Sequence, residues 1–280
     1  MVAPVEISPA RTGHASLKVE VISGQSAVTS AFASSPLKLL TPRPRGRSAW
    51  AYTSSFGGGL VAGDETRLEL RLGPAARCFL GTQASTKVYR NPAQRPCGHV
   101  THATLDAGAL LVFAPDPVQA FAGSTYAQRQ EFHLAPDASL VLLDWFTSGR
   151  AARGERWAFS RFASRNDVFV DGQRAFLDSI RLDASDGALD STHRTGRFNC
   201  FATLLILGPL VQEMAAKLLT EIAARPVERR APLVCSASPI SDGTLLRIAS
   251  EQVETVGHEL HRHLAPLSPL LGDDPWARRW

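Results

Sequence analysis

The chain has 280 residues, 44% of them hydrophobic and 20% charged, a composition typical of a soluble globular protein with a sizeable core and not of a disordered one. Its 30 basic and 26 acidic residues give a formal net charge of +4, and the arginines are scattered rather than gathered on one helix or stripe. We therefore expect no nucleic-acid-binding surface.

Three sequence features bear on the compartment. Residues 1–11 contain an acidic residue and two prolines but no apolar core, so a secretory signal is not expected. The longest apolar stretch, 201–211, is interrupted by Gly208 and Pro209 and is too short to span a bilayer. The four cysteines lie far apart with no CxxC pair, which is typical of reduced thiols. We expect a cytoplasmic protein without membrane contact.

Most segments of the chain have the pattern of β-strands. Residues 17–21 alternate apolar and charged, and 66–72 place three leucines on one face and three charged side chains on the other. Alternation with period two indicates a strand with one buried and one solvated face. Further strands are predicted at 77–83, 100–105, 110–113, 130–134, 140–146, 157–162, 175–182 and 245–249.

A weak internal repeat runs through the middle of the chain. The segments 72–80, 105–113 and 134–142 align without gaps. Each begins with Leu and continues through turn residues such as Gly, Pro or Asp. An Ala at the same position in all three segments then precedes a more apolar strand. Such a repeat fits a stack of hairpins that bury their faces against one another. We predict a mainly β fold of stacked strands or hairpins, in a β-helix-like or sandwich arrangement.

About two α-helices are predicted near the C-terminal part. After Pro209, a favoured helix-start residue, apolar side chains recur every four residues through 210–224. A second helix is predicted from Ser250, as N-cap, to Leu264, with Pro266 and Pro269 ending it. We expect a single domain over 1–280, with 1–16 and 272–280 as flexible tails.

The segment 56–64, FGGGLVAGD, is the most conspicuous loop. A P-loop would need Gly-Lys-Ser/Thr, which does not follow, and Ala62 stands where the third glycine of a dinucleotide-binding fingerprint would fall. The glycines therefore predict a turn with positive φ angles that leads into the strand near Thr66.

Two further segments carry polar side chains next to apolar strands. Residues 81–90, GTQASTKVYR, bring Lys87, Tyr89 and Arg90 into a cationic and aromatic patch suited to a protein surface or an acidic group. Asp144 interrupts the apolar run 140–146, so it either pairs with an arginine, such as Arg150 or Arg153, or lines an internal channel. Pairing is favoured, because an unpaired buried charge is costly.

A histidine cluster lies at 258–263, HELHRH. A zinc protease needs HExxH, but His258 and His261 are three apart and Arg262 holds the second ligand position. The two histidines can share a helix face and bind a transition metal weakly, since imidazole suits nickel, although solvent-facing histidines are the simpler interpretation. A metal-dependent hydrolase that uses this cluster is one alternative function. A carbohydrate-binding module is another, weakly supported by Tyr126, Trp145 and Trp157.

Several of these segments occur together in a recognisable order. YTSSFGGGLVAGD at 52–64 and GTQASTKVY at 81–89 are followed by FAPDP at 113–117, LDWFTSGR at 143–150 and LAPLSPLL at 264–271. In this order and spacing, over about 17–275, the chain resembles the UreD (UreH) family of urease accessory proteins. The resemblance implies a helix-poor fold of stacked strands.

The resemblance also implies a function that is not enzymatic. UreD-like proteins bind UreF, which recruits the GTPase UreG, and the assembly docks on the urease apoprotein so that nickel is inserted into the metallocentre. The chain would then have no intrinsic cofactor and would bind nickel at most transiently. Candidate residues for a hydrophilic passage or a partner-binding surface within the matched segments are Asp64, Ser85, Thr86, Lys87, Tyr89 and Asp144. His258 and His261 lie outside what the resemblance implies and remain weak metal candidates.

Overall fold

The computed structural model of the chain describes residues 12–43, 46–92 and 95–277. Within these ranges the chain forms two β-sheets and a group of helices. The strands are β1 (Thr12–Ile22), β2 (Gln25–Ala33), β3 (Leu37–Leu40), β4 (Ala49–Ser55), β5 (Glu65–Leu72), β6 (Arg77–Thr82), β7 (Thr86–Val88), β8 (Cys97–Leu105), β9 (Leu110–Phe113), β10 (Val118–Ala120), β11 (Thr125–Leu134), β12 (Ser139–Thr147), β13 (Arg161–Val170), β14 (Gln173–Asp183), β15 (Cys200–Leu207), β16 (Leu233–Ile240) and β17 (Gly243–Ser250). The α-helices are α1 (Gln212–Ala223), α2 (Val253–Leu264) and α3 (Ser268–Leu271).

The two sheets are linked by a chain that passes repeatedly from one to the other. Sheet A has the strand order β14-β13-β11-β8-β5-β1-β2, and sheet B has the order β16-β17-β15-β12-β9-β6-β4-β3, with β10 paired to β12 and β7 paired to β10. Between β5 and β13 the chain alternates between the sheets, and strands of successive coils pair in parallel. The centre is therefore a β-solenoid, and antiparallel strand pairs extend both sheets on either side.

The internal repeat read from the sequence is the repeat of this solenoid. The first residues of the three segments share one register in sheet A: Leu72, Leu105 and Leu134. The last residues share one register in sheet B: Leu80, Phe113 and Leu142. The shared alanine is buried in each: Ala76, Ala109 and Ala138. The predicted hairpins are wrong, however. Each turn is a corner between the sheets, because the two strands of a segment pack face to face and pair with the next coil instead.

Sheet B is covered on both faces. One apolar core fills the space between the sheets, and a second lies between sheet B and the helices. All nine residues of β12 are buried, with Leu142 facing sheet A and Leu143 facing the helices. Helices α1 and α2 contribute the apolar stripes that the helical spacing predicted, including Leu218 and Leu260.

The C-terminal helices differ in detail from the prediction. A 3₁₀ turn, Pro209–Val211, precedes α1. Helix α2 begins at Val253, because Ser250 still belongs to β17 and its hydroxyl accepts a hydrogen bond from the Gln252 N–H. The prolines do not end the helical segment. They occupy first-turn positions of the next helical turns, where no N–H is needed, and Gly272, with φ 82°, ends it.

Parts of both segments predicted as flexible tails belong to the fold. Residues 12–16 belong to β1 and pair with β5. Trp276 is buried against Phe79, with ring centroids 5.5 Å apart. Residues 1–11 and 278–280 lie outside the described part of the chain. The strand predicted at 157–162 is also wrong, since Trp157 has a φ of 54° and β13 begins only at Arg161.

Among the helices of the described ranges, none combines the length and the apolar character that a bilayer crossing needs.

Candidate functional site

A layer of polar side chains interrupts the apolar core between the two sheets. In two successive sets of register partners across sheet A, polar side chains point toward sheet B. Each set forms one row across the strands. The neighbouring rows are apolar, with Tyr126 and Phe162 on one side and Phe132 and Val168 on the other. We call these two rows the polar layer: Thr66, His99, Gln128 and Ser164 in the first, and Thr101, Gln130, Asn166 and Asp178 in the second.

Asp144 reaches the polar layer from sheet B. Its carboxylate accepts hydrogen bonds from Gln128 Nε2 and Asn166 Nδ2, each at 2.8 Å, and from the Ser164 hydroxyl. The predicted pairing with Arg150 or Arg153 is wrong. Asp144 points between the sheets, whereas Arg150 lies beyond the end of β12 and binds Glu155, with Nε 2.9 Å from Oε2.

The surroundings of Asp144 make its charge costly. Burial raises the pKa of the Asp144 carboxyl above its usual value, and the three hydrogen bonds only partly oppose this shift. Within the described ranges the hydrogen-bond partners of this carboxylate are all neutral side chains. The next carboxylate of the layer, Asp178, is neutralised by Arg247, whose Nη2 lies 2.7 Å from Oδ1. Asp144 is thus an acidic group whose charge a cation would stabilise.

A cavity of about 110 Å³ connects Asp144 with the surface. This volume has room for several water molecules. The inner lining combines buried polar side chains, among them Thr66, Thr101, Gln128, Gln130 and Asp144, with buried apolar ones such as Leu68, Phe113 and Trp145. The outer lining consists of more accessible residues in loops and at strand ends and includes Ser54, Gly58, Ser85, Thr86 and Asp116. Three of the predicted site residues thus line one cavity, although they come from two separate segments of the sequence: Ser85, Thr86 and Asp144.

The glycine-rich segment and the GTQASTKVY segment meet at the rim of this cavity. The Leu60 N–H donates to the Lys87 carbonyl at 2.8 Å, and the Tyr89 N–H donates to the Leu60 carbonyl at 2.9 Å. A Cβ on Gly59 would lie 2.5 Å from the Lys87 oxygen. This close approach explains why a glycine is needed at position 59.

The remaining candidates occupy other positions. Asp64 does not line the cavity: its Oδ2 accepts from the Val61 N–H at 3.0 Å and so closes the glycine-rich loop, beside a separate recess that Phe56 and Tyr89 also line. Lys87 is exposed. Tyr89 is half-buried, with its ring edge-on to Phe121 at 5.5 Å.

The C-terminal histidines lie apart from any cluster of three metal-type ligands within the described residues. His258 and His261 are exposed on α2, and His261 lies beside Trp276 and 3.9 Å from an Asp274 oxygen. The geometry therefore gives no support to a hydrolase built on this cluster.

The fold and the cavity define a β-solenoid protein with a recess in its core, in which hydroxyl and amide groups surround one carboxylate and apolar side chains form the remaining wall. The UreD urease accessory protein family model matches residues 11–280.

Full-length relatives agree with this match. The urease accessory protein UreD of Sorangium cellulosum is 49% identical over 274 residues, covering 96% of this chain and 85% of the relative. The urease accessory protein D of Oryza sativa subsp. indica is 33% identical over 304 residues, 99% of each chain. The urease accessory protein 4 of Cryptococcus neoformans var. grubii is 30% identical over 292 residues, 89% of each. The chain belongs to the UreD family, and the resemblance seen in its motifs is confirmed.

Proposed function

We propose that the chain acts in urease maturation as a non-enzymatic scaffold that gives nickel a hydrophilic route toward the urease apoprotein. Family membership supports the role in maturation. The observation that carries the route is the position of Asp144, a buried carboxylate with neutral partners at the inner end of a cavity that opens near Ser85 and Thr86.

The donor atoms of the polar layer suit transient contact with the ion. Hydroxyl, amide and carboxylate oxygens can replace part of the water shell of a divalent cation, whereas nickel held for storage would favour imidazole or thiolate ligands. Burial lowers the pKa of His99 to about 4, so this imidazole is neutral at physiological pH and does not repel a cation. The Nδ1 of His99 is engaged by the Thr66 hydroxyl. The other polar donors along the cavity are mainly oxygens, which favour passage over retention.

The surface formed by the glycine-rich loop and the adjoining GTQASTKVY segment, next to the mouth of the cavity, is the proposed partner surface. Phe56 and Val61 are 49% and 46% exposed beside the glycine-rich loop, and Lys87 is exposed next to them in the adjoining segment. Apolar side chains bordered by a cation are suited to a protein interface.

We assign UreF and the urease apoprotein as partners, with UreG recruited through UreF. The chain itself has no Gly-Lys-Ser/Thr triplet for a nucleotide. The complex would assemble in the cytoplasm.

Two measurements on one set of strains test this proposal. The chain is co-expressed with UreF, UreG and urease, and the complex is followed by size-exclusion chromatography while the nickel content of purified urease is measured. We expect Asp144→Leu to keep the complex but to lower urease nickel several-fold. Asp137→Asn, at an exposed corner of the solenoid, is the matched control and should change neither.

The two halves of the proposal can fail separately. Elution of the wild-type chain alone under every condition would overturn the scaffold. Full nickel loading of urease with Asp144→Leu would overturn the route while leaving the scaffold in place.

A further inference from the structure

Three metal-type side chains meet on the outer face of sheet A, on the opposite side from the polar layer. His102 lies on β8, and Glu131 and His133 lie on β11. His102 and Glu131 are register partners on neighbouring parallel strands, and Glu131 and His133 share a face because they are two residues apart. One ligand atom from each lies within 4.8 Å of the others.

The distances suit one bound cation. Glu131 Oε1 is 2.7 Å from His133 Nε2 and 3.8 Å from His102 Nδ1. Ligand atoms around an ion with bonds of about 2.1 Å lie about 3 Å apart. The 2.7 Å separation is slightly shorter than this distance and the 3.8 Å separation is longer. Small side-chain rotations would bring the three atoms onto one ion. The half-exposed side chains leave the remaining coordination positions open to water.

Neighbouring residues hold two of the three ligands in place. Arg129 Nη2 lies 3.3 Å from Glu131 Oε2, which leaves Oε1 directed at the two imidazoles. The His133 ring stacks on Phe169 with centroids 4.9 Å apart and planes only 5° from parallel. Such support restricts the rotamers of the ligands, and a pre-arranged site loses less entropy when it binds an ion.

An ordinary surface ion pair accounts for only part of this arrangement. A hydrogen bond between His133 Nε2 and Glu131 Oε1 would explain the 2.7 Å contact. It does not explain why the His102 ring lies 5.0 Å from the His133 ring and turns a second nitrogen to the same carboxylate oxygen. A single divalent cation would accept one nitrogen from each imidazole and the carboxylate oxygen together.

We propose that His102, Glu131 and His133 form a surface site for a divalent transition-metal ion, bound through two imidazole nitrogens and one carboxylate oxygen. This ligand set favours Ni²⁺, Zn²⁺ or Cu²⁺ over Mg²⁺ or Ca²⁺. The site is separate from the cavity that contains Asp144, so it does not depend on the proposed route through the core.

Calorimetric titration of the purified full-length chain with Ni²⁺ and Zn²⁺ tests the site. We expect an equivalent of bound metal that His102→Ala/His133→Ala abolishes and that either single substitution weakens at least ten-fold. His258→Ala/His261→Ala is the matched control, because it removes two exposed histidines of α2, and it should leave this binding unchanged. Asp144→Asn should leave it unchanged as well. Equal binding by wild type and His102→Ala/His133→Ala would overturn the proposal, as would loss of the binding in the α2 variant.

A spectroscopic measurement identifies the ligands and does not depend on large substitutions. The electron paramagnetic resonance spectrum of added Cu²⁺ should show coupling to two imidazole nitrogens in the wild type and to one in His102→Ala. Glu131→Gln, which keeps the size of the side chain, should keep both nitrogens and bind Ni²⁺ more weakly. A spectrum without nitrogen coupling in the wild type would rule the site out.

Discussion

Gln128 of sheet A donates from Nε2 to Oδ1 of Asp144 in sheet B across 2.8 Å. The same amide nitrogen also lies 2.8 Å from the Ser164 hydroxyl, and the Tyr126 hydroxyl donates to the Gln128 carbonyl oxygen at 2.9 Å. One glutamine thus holds the buried carboxylate and is itself held in orientation by its neighbours. The polar layer acts as a network and not as a set of isolated pairs.

This network predicts strong coupling between Gln128 and Asp144. Gln128→Leu removes one donor from a buried carboxylate and should lower the free energy of unfolding by about 2–3 kcal/mol. Asp144→Leu removes the charge itself. The double variant Gln128→Leu/Asp144→Leu should therefore be more stable than the sum of the single effects by about 1–3 kcal/mol. Urea unfolding of the four proteins measures this difference. Additive effects within about 0.5 kcal/mol would show that the two side chains act independently.

His99 should make stability depend on pH. Burial lowers its pKa to about 4 from an ordinary value near 6.5. Between these pH values the unfolded chain binds a proton at His99 and the folded chain does not, so the free energy of unfolding falls as pH decreases through this window. The contribution is fully retained above about pH 6.5 and amounts to roughly 3 kcal/mol at most.

Comparison with His99→Gln isolates this effect from the carboxylates that titrate in the same range. We expect the wild type to lose more stability than His99→Gln between pH 7 and pH 4.5. Parallel stability curves for the two proteins would show that the imidazole titrates normally in the folded chain.

The alternation and the repeat were enough to predict a stacked β fold, because both are local. Leu72, Leu105 and Leu134 mark the same corner in three coils, and their spacing is visible in the sequence. Whether the strands on either side of each corner pair with each other was not visible. Parallel pairing between coils is decided by contacts about 30 residues apart, and apolar strands can satisfy either arrangement.

The polar layer was found only in part for the same reason. Asp144 stands out because it is the only charged residue in an apolar run. Gln128 and Gln130 are harder to recognise from the sequence. They are uncharged and occupy the inward positions of β11 between Tyr126 and Phe132. Their significance becomes clear only when the register places them beside other polar residues on β8 and β13. The partners of Asp144 therefore had to come from the structure, and the expected arginine was wrong.

Two glycine substitutions should have opposite effects on stability. A Cβ on Gly98 would lie 1.7 Å from the Ala127 carbonyl oxygen of the adjacent strand, so Gly98→Ala must force β8 and β11 apart. We expect insoluble protein or a loss of more than about 4 kcal/mol. Gly257 lies in the middle of α2, where the nearest atom to an added Cβ is 4.0 Å away. Gly257→Ala should therefore stabilise the chain by about 0.5–1 kcal/mol. Thermal unfolding of both variants tests the pair, and a stable Gly98→Ala protein would contradict the parallel pairing of these strands.

Trp276 should anchor the C-terminal segment that the sequence suggested was a flexible tail. Its ring is buried, meets Phe79 edge-on at 5.5 Å, and belongs to the core between sheet B and the helices. Trp276→Ala should therefore lower the free energy of unfolding by about 3 kcal/mol, the lower end of the range for a buried aromatic. Val227→Ala provides the control, because Val227 is 99% exposed and its truncation should change stability by less than about 0.5 kcal/mol. Urea unfolding followed by circular dichroism compares the two variants with the wild type. If Trp276→Ala proves as neutral as Val227→Ala, the segment that carries Trp276 does not contribute to the core in solution.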